Sequence, residues 1–175
     1  MLRAAMLELR VDHTLECSED VFWDRVFLDE EYNRGLFVEY LKFGSLREIK
    51  RETKDGLLYR VVEAVPPVGE VPAALKAVIG QGAGYEERGV LDRAKKTYKI
   101  EVVPNRLADK IEVRLELSTA PVAENRCRRL VRGTVSAKIF AVGGLLEKKL
   151  VSDLEKSYAK SVDFTNRFVR EKGLA

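Results

Sequence analysis

The octapeptide KIEVRLEL, residues 110–117, alternates without a fault. Ile111, Val113, Leu115 and Leu117 fall on one side; Lys110, Glu112, Arg114 and Glu116 fall on the other. A period of two is the signature of a strand with one buried and one wet face. Such a face must be covered by another element, so this stretch commits the chain to a sheet with a partner layer. Other segments repeat the pattern. Leu7, Leu9, Val11, His13 and Leu15 share one face of a strand over residues 6–15. Tyr98, Ile100 and Val102 alternate with Lys99 and Glu101. Val131, Val135, Ala137 and Ile139 oppose Arg126, Arg128, Arg132 and Lys138. LREIKRETK and LLYRVVEAV flank Asp55-Gly56, a pair suited to a two-residue hairpin turn in which both central residues need positive φ.

Two other elements interrupt the strands. Ser18 is a good N-cap with acids behind it, so a short helix is expected over CSEDVFWDRVFL, and a second over DEEYNRGLFVEYL with Gly35 weakening its middle. After Gly143-Gly144 a long helix is expected. Leu146, Leu150, Leu154, Tyr158, Val162, Thr165 and Val169 recur at a spacing of three to four. It is the only long apolar stripe able to cover the sheet. The order is therefore strand, two short helices, about six antiparallel strands and one long helix. This predicts an α+β fold, a curved antiparallel sheet wrapped around the C-terminal helix, over a single domain of residues 1–175.

Composition excludes several classes. The chain has 175 residues, 46% hydrophobic and 34% charged, which argues against disorder. A net charge of +3 is too small to indicate nucleic-acid binding. No apolar run is long enough to span a bilayer, and MLRAAMLELR reaches Glu8 too soon for a signal peptide. A cytoplasmic location is expected. Two cysteines, Cys17 and Cys127, make no disulfide framework, and with one histidine they argue against a zinc site. No cofactor is implied.

Three stretches carry a resemblance: HTLECSEDVFW after the first strand, YEERGVLD near the middle, and KIFAVGGLLEKKLVSDLEKS at the last strand-to-helix junction. In these and in its element order the chain resembles the START-like (SRPBCC) superfamily with its helix-grip fold. Among that superfamily are plant pathogenesis-related proteins, polyketide cyclases, lipid-transfer domains and several bacterial families. The resemblance implies a cavity between sheet and long helix that holds a hydrophobic molecule. It also implies that the first and last strands pair antiparallel, which would bring His13 toward Arg129 and Cys17 toward Cys127.

His13 is read first as a buried, hydrogen-bonded ring and second as a polar contact for a ligand. Arg129 shares a face with Val131 and Val135; there it must be paired, bind an anionic group, or escape to solvent at a frayed strand start. Glu63 alternates with Leu57, Tyr59, Val61 and Val65, and so either points inward or lies wet near a strand end. The basic run Arg126, Arg128, Arg129, Arg132 reads as a paired solvent face, with contact to an anionic membrane surface as the sharper alternative. Residues 67–82, with AALKAVI at their centre, form either a fixed cap or a mobile lid. The leading expectation is a non-catalytic carrier of a hydrophobic, lipid-like molecule. Its walls would be Val11, Tyr98, Ile100, Val113, Leu115, Val135, Leu150, Leu154 and Tyr158, with His13, Arg129 and Tyr98 as polar contacts. The alternatives are a cyclase- or aromatase-like enzyme and a protein-interaction adaptor on the same fold.

Overall fold

The computed structural model describes residues 6–175. Strand β1 (Leu7–Leu15) leads into α1 (Glu19–Val21), whose backbone widens into a π-helical turn over Phe22–Val26. Helix α2 (Glu30–Asn33) widens in the same way over Arg34–Tyr40. Both helices start on side-chain caps. Ser18 Oγ accepts from the Val21 amide at 3.2 Å, and Asp29 Oδ1 from the Tyr32 amide at 2.7 Å. Gly35 is needed for contact: a Cβ there would stand 2.8 Å from the Phe164 ring, so the glycine lets this helix press onto the C-terminal helix.

Strands β2 (Ser45–Lys54), β3 (Leu57–Val65), β4 (Tyr85–Asp92), β5 (Thr97–Pro104), β6 (Ile111–Ala123) and β7 (Arg126–Ala137) follow. Among the described residues they join β1 in one antiparallel sheet of order β1-β7-β6-β5-β4-β3-β2. Asp55 and Gly56 adopt φ of 53° and 77°, as the hairpin requires. Helix α4 (Gly143–Glu171) lies on the concave face. At 1.5 Å per residue it is about 40 Å long. It packs most closely on β1, on β7 and on residues 34–40. No helix among the described residues is long and apolar enough to cross a membrane.

The inward faces of β1, β5 and β6 are those expected from alternation: Leu9, Val11 and Leu15; Tyr98 and Ile100; Val113, Leu115 and Leu117 are all buried. Strand β3 decides between the two alternatives for Glu63. Arg60, Val62 and Ala64 are its buried residues, so Leu57, Tyr59, Val61, Glu63 and Val65 take the outer face. Glu63 points away from the interior and pairs with Arg47 at 2.5 Å. In β2 a bulge at Ile49 shifts the register between Glu48 and Lys50. Glu48, opposite inward-facing Val62, meets Arg60, Nε to Oε2 at 2.7 Å, and a buried arginine becomes tolerable on the inner face.

The stripe of α4 also needs correction. Leu146, Thr165 and Val169 are buried as expected, but Val151, Ser161 and Phe168 join them. Leu150, Leu154, Tyr158 and Val162 are only partly buried against the core. Residues 73–79 form a short 3-10 turn (Ala73–Leu75) continuing into α3 (Lys76–Ile79). Leu75, fully buried, anchors this segment in a small separate cluster with Ala137 and Leu146.

Candidate functional site

The first and last strands do pair antiparallel, with His13 opposite Arg129 and Leu15 opposite Cys127. Arg129 is buried at 3% exposure and belongs to the inner face. Its Nη2 donates to the Tyr158 carbonyl at 2.9 Å and lies 3.4 Å from His13 Nδ1. Its guanidinium sits 5.3 Å above the Tyr158 ring, a cation–π arrangement. Three expected site residues, His13, Arg129 and Tyr158, therefore meet. Escape of Arg129 to solvent at a frayed strand start is not what the fold adopts.

Arg129 Nε has no hydrogen-bond partner. Burial lowers the Arg129 pKa, against weaker opposing effects of Tyr32, Tyr158 and Cys127. Burial, and after it the Arg129 charge, lowers that of His13, while Asp12 acts in the opposite sense. Asp12 is itself engaged by Arg128 on the outer face. The basic run thus divides: Arg128 is paired outside, Arg129 is inside.

A second polar group was not legible as a site from sequence. Glu87 shares the inner face of β4 with Gly89 and Leu91, and its Oε1 accepts from the Tyr98 hydroxyl at 2.8 Å. Gly89 makes this bond possible, because a Cβ there would stand 1.7 Å from the Tyr98 hydroxyl oxygen. Tyr98 leans over the glycine to reach Glu87. Parity with Gly89 and Leu91 was the available signal. Tyr98 therefore belongs to this group and not to the His13–Arg129 group. Tyr158 lies within electrostatic reach of both. Burial, then Glu87, raises its pKa, and Arg129 lowers it. Tyr85 is likewise raised by burial and then by Glu87.

The remaining expected wall residues all face the interior, in two grades. Val135 is fully sealed, Val11, Ile100, Val113 and Leu115 are buried, and Leu150 and Leu154 keep part of their surface open. Cys17 and Cys127 are free thiols, both fully buried. The contact with Cys17, and then burial, pushes the Cys127 thiol up, which keeps it protonated. A concavity of about 1220 Å³ lies on the opposite, outer face of the sheet. Its walls mix charged residues such as Arg10, Lys99 and Arg132 with Tyr59, Val61 and Val90, and none of them comes from α4.

Solved structures share this architecture. An aromatase/cyclase from Streptomyces sp. R1128 superposes with a TM-score of 0.69 at 14% identity, covering 98% of each chain. Norcoclaurine synthase from Thalictrum flavum gives 0.66 at 17% identity over 99% of each chain. A protein from Thermus thermophilus gives 0.65 at 18%, over 95% of this chain and 99% of that one. At these identities the likeness establishes the helix-grip fold. Among curated proteins none matches the chain by sequence. One family profile spans residues 10–169, from β1 through most of α4, and by that match the chain belongs to the family described as Protein of unknown function (DUF2505).

Proposed function

We propose that this protein binds and carries a hydrophobic, lipid-like small molecule between the concave face of the sheet and α4. One observation carries the reading. Leu150, Leu154 and Tyr158 on the helix, and Tyr85, Val102 and Ile111 on the sheet, pack toward the core yet keep part of their surface open. Farther along the same helix Thr165 and Val169 are sealed completely. An apolar guest in the looser half would gain about 25 cal/mol for each Å² removed from water. His13 and Arg129 would orient its polar end, in the manner of a mostly apolar site with a few placed polar groups. The segment anchored by Leu75 stands at one end of this space, beside Leu150. Phe140, 98% exposed, and Leu145, at 40%, flank residues packed in the same cluster and would touch a membrane surface during ligand exchange.

Native mass spectrometry of the purified protein, with solvent extraction and titration of the neutral dye Nile red, tests the reading. A co-purifying hydrophobe or saturable dye binding is expected. If neither is seen, the carrier reading fails. A cyclase- or aromatase-like enzyme is the second reading, favoured by the Glu87–Tyr98 pair, a carboxylate and hydroxyl in proton-transfer distance on the inner face. Its test is conversion of a polyketide substrate that is lost in Glu87→Gln and His13→Ala.

A further inference from the structure

We propose that Arg129 receives a carboxylate, so that the molecule taken up is an amphipathic monocarboxylic acid seated head-first beside His13 and Tyr158. The inference rests on the carrier reading above. Its starting point is a contrast between two buried arginines. Arg60, 6% exposed, is balanced by Glu48 at 2.7 Å. Arg129, 3% exposed, has for partners a backbone carbonyl, a neutral ring nitrogen and an aromatic face, and Nε has none. None of these is an anion. A buried cation without a counter-charge is costly, and the planar guanidinium fork matches a carboxylate.

The charge balance selects a monoanion. Arg129 is a single cation, and burial together with Arg129 itself keeps His13 toward its neutral form. Glu87, on the inner face and also within reach of Tyr158, would repel a second negative charge. It therefore directs the acid toward Arg129. The partly open Leu150, Leu154, Val102 and Ile111 offer the apolar surface for the tail.

His13 is the only histidine, so its imidazole is a single reporter in NMR. The full-length protein is titrated with dodecanoate, dodecanol and dodecyl phosphate. Dodecanoate should bind at least about tenfold more tightly than dodecanol, a difference of about 1.4 kcal/mol. It should also raise the His13 pKa, because a carboxylate beside the ring offsets the repulsion from Arg129. Dodecanol should leave that pKa where it was. Arg129→Met should abolish the preference, and Glu87→Gln should tighten dodecanoate binding. Should Arg129→Met fail to fold, the wild-type His13 titration and Glu87→Gln decide. Equal binding of acid and alcohol with no His13 shift overturns the inference and leaves the carrier reading standing. Tighter binding of dodecyl phosphate overturns the choice of a monoanion. Binding of none of the three, with no uptake of Nile red, removes both proposals.

Discussion

The two ends of α4 are built differently although one amphipathic pattern runs through both. Toward the C-terminus the helix is sealed. Ser161, Thr165, Phe168 and Val169 are buried, Tyr32 donates to Thr165 Oγ1 at 2.7 Å, and Thr165 donates in turn to the Ser161 carbonyl at 2.6 Å. Phe164 and Phe168 stack on each other and meet Tyr32 and Tyr40 from the second short helix in tilted and edge-on contacts. In the middle, Leu150, Leu154 and Tyr158 face the interior less tightly, and the polar groups Arg129 and Glu87 stand nearby. The difference separates a part of the helix that holds the fold from a part packed less tightly, where the proposed ligand would lie.

The largest effect should come from the sealed end. Phe168→Ala removes a ring that is 7% exposed and should cost about 3–5 kcal/mol of stability in urea unfolding. A cost under about 1 kcal/mol would show that this end is not the clamp. Gly89→Ala comes next: the methyl collides with the Tyr98 hydroxyl, for about 1–3 kcal/mol, and the Tyr98–Glu87 bond is lost. Leu154, partly open, should tolerate truncation to alanine at about 1 kcal/mol. Leu154→Trp should fold with near-normal stability and take up little Nile red. If it binds the dye as the wild type does, the space beside Leu154 is not the site.

The smallest effect is a slope with pH. Burial and then Arg129 hold the His13 pKa below its ordinary value of 6.5. The unfolded chain then takes up that proton first as pH falls. The His13 contribution to stability is complete above about pH 6.5 and is lost as pH falls through the folded-state value. The urea midpoint should therefore drop below about pH 6.5, and drop less in His13→Gln. Equal slopes in the two proteins would mean that the ring is not held in this way.

Much of this was legible in the chain. Alternation in β1, β5 and β6 identified the inner residues because each strand has one apolar and one charged face. The expected meeting of His13 with Arg129 came from the family resemblance, and the register delivers it. For strand β3 periodicity left the parity open, because both of its faces are apolar apart from Arg60 and Glu63. A partner on a different strand accompanies the outcome: Glu48 of β2 meets Arg60 on the inner face. Glu87 escaped notice because a carboxylate on an inner face becomes reasonable only once Tyr98, on the next strand, reaches it over Gly89.

The sequence by itself determined the elements, their order, the cap at Ser18, the turn at Asp55-Gly56 and the apolar faces that had to meet. These follow from local conformation and periodicity, which depend on neighbours along the chain. Tertiary structure alone decided which buried charge finds a partner. Arg60 and Arg129 are both arginines on inward strand faces, yet one has Glu48 beside it and the other a carbonyl, a ring nitrogen and an unpaired Nε. That distinction depends on which side chains a curved sheet and a long helix bring within about 3 Å of one another, a distance set by packing across strands far apart in the chain.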